Sequence, residues 1–245
     1  MSLGAGDLVL RAVPLGPPGS PLPDGAPTLG ELERAAALVD AVQRHRFLAG
    51  RLALRALVAG LLGVDPYEVR PAYMCLECGV GEHGRPGFVL AHDGAPLGAL
   101  GRSRRLPIAA SMSRAGGWAL VAADTSRSER TLVPLDLEIR PGDAEVGRGM
   151  GIGVDLVRVA DVRGAIPDAA LTPAERRRVS AAADPAAEAA RLWARKEALL
   201  KALGTGLRTD PASVEALGDC RVSDIDARSL KLPEGFVAAL ARPTL

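Results

Sequence analysis

The sequence predicts an α+β fold made of two similar halves, each a small antiparallel sheet with flanking helices and a cleft between them. Three observations predict it. The chain has 245 residues, and at about 150 residues per domain that is about 1.6 domains, so one large unit or two compact halves. Segments of strand-like and helix-like periodicity alternate along the chain. The same motifs also recur at nearly one offset. Arg46–Leu54 falls on Arg191–Leu199 at an offset of 145, with Arg46/Arg191, Ala49/Ala194, Ala53/Ala198 and Leu54/Leu199 identical. Two capping-box patterns are offset by 144, and two Asp-Leu-Val strands by 148. Three matches in order favour a duplicated unit over chance alignment of Ala- and Leu-rich helices.

Each element follows from local chemistry. Residues 7–13 read as a strand, and the six prolines of residues 14–27 make a loop. Thr28 to Glu31 has capping-box spacing and opens a helix to about Arg44. A second helix runs from about Arg46 to Leu62, where Gly63 stops it. Its apolar face carries Leu48, Leu52, Leu54, Leu57, Val58 and Leu61. Arg44, Arg51 and Arg55 share one side and read as a polar stripe. Residues 71–105, rich in Gly and Pro, receive no element. Residues 106–113 and 118–123 read as strands around the hairpin turn Arg114–Gly117. Residues 124–148 are polar apart from Thr131–Ile139. Gly151–Val159 reads as a strand. Thr172 to Glu175 is a second capping box, with Pro173 at the first helical position. The helix it opens is interrupted near Asp184-Pro185, and another runs from about Ala189 to Leu203, ended by Gly204. The tail reads as strands at Ser213–Leu217, Cys220–Ile225 and Gly235–Ala241. The expected division is an N-terminal half at 1–127, an insertion or linker at 128–148, and a C-terminal half at 149–245.

Composition excludes several classes. The chain is 48% apolar and 24% charged with a net charge of +1, which argues against disorder and against bulk nucleic-acid binding. No run is long and apolar enough for a membrane span. Three cysteines cannot form a closed disulfide set, which points to a reducing, cytoplasmic setting. Of 30 basic residues only Lys196, Lys201 and Lys231 are lysines, and two of them lie within one six-residue stretch.

That stretch carries the sharpest chemistry. In Trp193–Lys201 (WARKEALLK), Trp193, Glu197 and Lys201 repeat every four residues and share a helix face. A carboxylate and an ammonium one turn apart are ordinarily a solvated pair worth little. The tryptophan on the same face indicates partial burial, which suits a metal-ligating carboxylate and a phosphate-binding lysine. Gly151-Ile-Gly153-Val-Asp155 places one aspartate on an apolar strand, with glycines that admit a close backbone or ligand. As a dinucleotide-binding fingerprint the Gly-x-Gly is weak, because no helix pattern follows it. Asp155 and Glu197 together offer two carboxylates, a set suited to Mg²⁺ in phosphoryl-type transfer.

These residues resemble the 4′-phosphopantetheinyl transferase superfamily, whose signatures are a G-[IV]-D strand and a W-x-x-K-E-[AS]-x-x-K helix. Here they stand as Gly153-Val-Asp155 and Trp193–Lys201, with Glu197 42 positions after Asp155. The doubled length resembles the Sfp-type, pseudodimeric branch, which is monomeric, rather than the shorter trimeric acyl-carrier-protein synthases. In the first half, the stretch from His45-Arg46 to Gly50 resembles the family's phosphate-binding helix. His83-Gly84-Arg85-Pro86 resembles its G-[KR]-P turn, and Ser111–Trp118 its S-H-S-G-x-W segment. The resemblance implies transfer of 4′-phosphopantetheine from coenzyme A to a serine of an acyl, peptidyl or aryl carrier protein, with Mg²⁺ as cofactor and 3′,5′-ADP leaving. It further implies Asp155 and Glu197 on the metal and Glu197, Lys201 and Asp155 in catalysis. Arg46, Arg85, Ser113, Arg114, Lys196 and Lys201 would lie on the coenzyme, with Lys196 either orienting the phosphates or pairing with a carboxylate.

The sequence departs from the pattern in three places. Arg114 stands where the family has histidine, and arginine also suits a phosphate. Val157 stands where Sfp-type members carry a second acid, which leaves open a degenerate, non-catalytic relative that binds coenzyme A or a carrier protein. Asp136 and Glu138 form a rival D-x-E, but Asp136 lies 61 residues from Glu197, so Asp155 is preferred. Cys75-Leu-Glu-Cys78, followed by His83, resembles half a zinc site with no evident fourth ligand; two ordinary thiols beside a loop is the simpler reading. His92 reads as a surface loop residue.

Overall fold

Two antiparallel sheets lie between two long helices in the computed structural model. It describes residues 3–5, 8–75, 78–91, 105–126, 151–163, 165, 166 and 168–243. The expected insertion at 128–148, the rival acids Asp136 and Glu138, and His92 lie outside these residues. The four-stranded sheet contains β1 (Leu3–Ala5), β2 (Leu8–Pro14), β7 (Ala109–Ala115) and β8 (Trp118–Asp124) in the order β1-β2-β8-β7. The three-stranded sheet contains β9 (Gly153–Arg158), β10 (Val222–Ile225) and β11 (Phe236–Ala241) in the order β10-β11-β9. Two ribbons pair β3 (Val69–Pro71) with β6 (Phe88–Leu90) and β4 (Tyr73–Cys75) with β5 (Gly79–Gly81). The helices are α1 (Leu29–Ala36), α2 (Ala41–Leu62), a single turn α3 (Val159–Val162), α4 (Pro173–Ser180) and α5 (Pro185–Leu203).

Strand alternation sorts side chains between the layers. On β8, Ala119, Val121 and Ala123 pack against Leu54, Leu57 and Val58 of α2. Leu120 and Ala122 face the other way, with Leu8 and Leu10, onto Val154, Leu156 and Leu240 of the second sheet. The far side of that sheet, with Val157, Ala239 and Ala241, packs on Ala194, Ala198 and Ala202 of α5. The order is therefore helix, sheet, sheet, helix, and Asp155 shares the α5-facing side of β9 with Val157.

The two sheets meet at their edges through side chains. Ser111 of β7 accepts a 3.0 Å bond on its Oγ from the Val154 amide of β9, filling a role that a paired strand would otherwise take. Both residues are buried, so Ser111→Ala is expected to destabilise the protein by about 1–3 kcal/mol, read by chemical denaturation, by stranding that N–H.

Both capping boxes form, and each half uses the same device. Thr28 caps α1 with Glu31 reciprocating, and Thr172 caps α4 with Glu175 reciprocating. Each glutamate is buried and bonded to a cation of the following long helix, at 2.7 Å for Arg55–Glu31 and 2.7 Å for Lys196–Glu175. Each threonine hydroxyl donates to a second glutamate, Glu82 or Glu215.

Three sequence expectations change. The first helix ends at Ala36, not near Arg44, because Asp40 starts a new helix by accepting from the Gln43 amide. The arginine side of α2 is no solvated stripe: Arg51 and Arg55 are buried. Arg51 stacks on Tyr73 at 4.1 Å and donates to the Glu82 carbonyl, and Arg55 donates to Ala26 and Glu31. Helical spacing shows that these residues share a face but not that a loop and a ribbon cover it. Ser213–Leu217 is not a strand; a single 3₁₀ turn at Pro211–Ser213 leads into irregular chain. Its Val214 carbonyl and Ala216 amide are taken by Lys196 and Glu175. No helix among the described residues is long and apolar enough to cross a membrane.

Candidate active site

The site forms where β7, β9 and α5 converge. Gly153 lets α5 lie directly on β9. A Cβ built there would stand 1.9 Å from the Ala198 carbonyl oxygen and 2.6 Å from the Ala202 nitrogen. The glycine thus admits another backbone. Gly151 adds a 2.8 Å bond from its amide to the Ala202 carbonyl. This contact brings the Glu197–Lys201 face of α5 over Asp155.

Lys201 Nζ lies 2.6 Å from Asp155 Oδ1 and also donates to the Val154 carbonyl at 3.2 Å. Ser113 Oγ donates to the same Asp155 oxygen at 2.6 Å. Among the described residues Oδ2 receives no bond, nor does the Glu197 carboxylate. Glu197 is half-buried, as are Trp193 and Lys201 on its face. Burial raises its pKa above the ordinary 4.5, Lys201 opposes the rise and the Asp155 charge adds to it. Two adjacent carboxylates, one held high by desolvation and short of donors, fit a hard divalent cation with oxygen preference.

The other sequence candidates are placed differently. Ser113 and Arg114 point to opposite sides of β7: Ser113 to Asp155, Arg114 to α2. There the Arg114 side chain reaches the helical Gly50, and its guanidinium lies 5.3 Å from the Phe47 ring centre. Arg46 reaches the β7–β8 turn, where Gly116 and Gly117 have positive φ, 53° and 85°. A Cβ on Gly117 would stand 3.1 Å from an Arg46 guanidinium nitrogen, and Arg46 Nε is buried without a hydrogen-bond partner. The turn begins three residues beyond Ser113, about 10 Å along the strand. Arg85 donates to the Ala202 carbonyl at 3.0 Å, capping the C-terminal end of α5 next to Lys201.

Lys196 stands apart from this cluster. It is 0% exposed, and its ammonium donates to Glu175, Pro211 and Val214. Its three protons are all engaged, so it takes the carboxylate-pairing reading and not the phosphate-orienting one. Neither the Ser111 bond to the second sheet nor the Glu175 pairing with Lys196 was foreseen from sequence. The alternation of Ser111 and Ser113 against Met112 and Arg114 was the available signal for the former. Val157 lies in the α5 core, so the position of the missing second acid is filled by packing.

Residues 151–235 match the family model described as the 4′-phosphopantetheinyl transferase superfamily. A protein named holo-[acyl-carrier-protein] synthase from Thiobacillus denitrificans is 45% identical over 65 residues, which is 24% of this chain and 50% of that protein. One of the same name from Dechloromonas aromatica is 45% identical over 74 residues, 27% of this chain and 58% of that protein. The chain thus spans about half the length of the curated relatives it matches. The matched segment holds β9, α4, α5 and the Asp155–Glu197–Lys201 cluster, so the similarity to the 4′-phosphopantetheinyl transferase superfamily falls on the residues that build the site.

Proposed function

We propose that the protein transfers 4′-phosphopantetheine from coenzyme A to a serine hydroxyl of an acyl, peptidyl or aryl carrier protein. The carrying observation is the contact of Asp155 and Lys201 beside a Glu197 of raised pKa, inside the segment that matches the superfamily. The serine oxygen forms a bond to the β-phosphorus of the coenzyme's pyrophosphate, and the bond from that phosphorus to the bridging oxygen breaks. 3′,5′-ADP leaves with the bonding electrons, and the serine proton goes to a base. Asp155 and Glu197 would hold Mg²⁺, which supplies charge neutralisation at the pyrophosphate when bound. Glu197 takes the serine proton, directly or through water, and its raised pKa makes it a stronger base than an exposed glutamate. Lys201 orients Asp155 and offers positive charge to the leaving group. Arg46, whose Nε lacks a partner, and Arg114 bind the coenzyme's phosphates; Ser113 fixes the Asp155 rotamer.

We further infer two halves of one ancestral unit, of the Sfp-type arrangement, working as a monomer. The paired capping boxes with buried carboxylate–cation contacts support duplication. The relatives are named holo-[acyl-carrier-protein] synthases.

Incubation of apo carrier protein, coenzyme A and Mg²⁺, read by intact mass, tests the reading. A phosphopantetheine adduct is expected with the wild-type chain and none with Glu197→Gln. Coenzyme A binding with no adduct on acyl, peptidyl or aryl carriers would instead favour the non-catalytic reading that Val157 raises. The pH dependence carries a sign as well. The base works deprotonated, so kcat/KM falls as pH drops through the Glu197 pKa, above the ordinary glutamate value. Lys201 holds that pKa down, so Lys201→Ala moves the acid limb to higher pH in whatever activity remains. A limb that stays in place would remove Glu197 from the base role.

A further inference from the structure

We propose that Cys75, Cys78 and His83 form a zinc site that pins the loop carrying Arg85. The donor atoms of these three residues all lie within 4.8 Å of one another. Zinc bonds of about 2.3 Å to sulfur and about 2.0–2.1 Å to nitrogen put tetrahedral donors about 3.5–3.8 Å apart. The three must therefore close by about 1.3 Å at most, which small side-chain rotations provide.

The backbone around them is built for this approach. Cys75 ends β4 and pairs with Gly79 of β5, so the two cysteines sit on one tight hairpin. Gly79 follows Cys78 directly with φ of 77°, a conformation open to glycine at no steric cost. The chain then folds back. Met74 and Arg85 exchange backbone bonds of 2.9 and 2.8 Å, which sets His83 beside the hairpin. Gly84, with φ of 95°, makes that return fit: a Cβ there would stand 2.2 Å from the Met74 carbonyl oxygen.

Chemistry selects the metal. Two thiolates and a neutral imidazole are a soft donor set, and two thiolate charges neutralise a divalent ion, which suits zinc over magnesium or calcium. Three protein ligands leave a fourth position for water, and the ligands are half-buried or exposed, so solvent reaches it. There is a structural need as well. A two-stranded ribbon of three-residue strands is marginal in water without a further contact. The ribbon leads straight to Arg85, whose guanidinium caps α5 at Ala202, one residue past Lys201. Metal at Cys75, Cys78 and His83 therefore steadies the α5 end from the opposite half of the chain.

The test is metal content of the full chain purified with its thiols reduced, which does not depend on any transfer activity. About one zinc per chain is expected, retained in Cys220→Ser and lost in Cys75→Ser/Cys78→Ser. Because the double variant could unfold, Co²⁺ is also titrated into the metal-stripped wild-type chain. A thiolate-to-cobalt charge-transfer band with tetrahedral ligand-field intensity is expected, abolished by one equivalent of zinc. Failure of the reduced wild-type chain to take up zinc or to give that band would overturn the site. So would a Cys75–Cys78 disulfide as the purified state, seen by mass before reduction.

Discussion

Replacing Lys196 with methionine is expected to cost about 3–5 kcal/mol of folding stability, because it leaves the Glu175 carboxylate buried without its counter-charge. Both side chains of that pair are 0% exposed at 2.7 Å, and Lys196 also satisfies the Pro211 and Val214 carbonyls. The same change at Lys201 has the opposite profile. Its side chain is 28% exposed and Ser113 still donates to Asp155, so Lys201→Met is expected to cost less stability than Lys196→Met while transfer falls sharply. Urea unfolding of both variants beside the carrier-protein mass assay reads the contrast. If Lys196→Met unfolded like wild type and only lost transfer, Lys196 would belong on the coenzyme after all.

Gly153→Ala is the second large effect. The new methyl meets backbone and not a flexible side chain: the Ala198 oxygen 1.9 Å away and the Ala202 nitrogen at 2.6 Å. Relief requires α5 to lift from β9, which opens the core formed by Val157, Ala198, Ala202 and Ala239. A loss of about 3 kcal/mol or more is expected from such overpacking, seen as a lower denaturation midpoint. Because the same shift draws Lys201 and Glu197 off Asp155, transfer should fall further than the folded fraction does. Activity that merely tracks the folded fraction would mean that the β9–α5 spacing does not set the site.

How much of this was legible in the chain depends on how far apart the partners lie. Both capping boxes, the Gly116-Gly117 hairpin and the Gly204 stop read correctly, because a cap or turn is decided by residues within four positions of one another. The half-buried face of Trp193, Glu197 and Lys201 also followed from helical period and matches the structure. Arg51 and Arg55 read wrongly, since period alone does not reveal the Glu82, Tyr73 and Glu31 partners that cover them. Lys196 was partly legible. It stands five residues before Lys201, about 140° around the helix at 3.6 residues per turn, so the two cannot serve one site. It also shares a side with Leu192, Leu199 and Leu200, all buried.

By itself, then, the sequence determined the local devices and the motif spacing: the caps and turns, the long helices and the strands of the two larger sheets, and which acids and lysines lie on one face. Tertiary structure decided which lysine is buried against Glu175 and which meets Asp155. It also decided that Ser111 and Ser113 join the two sheets, and that Cys75, Cys78 and His83 converge. The physical reason is range. Ser113 and Asp155 are 42 residues apart and Lys201 lies 46 beyond Asp155, so their meeting rests on Gly153 seating α5 against β9 and on which strand edges abut. No periodicity along the chain encodes that.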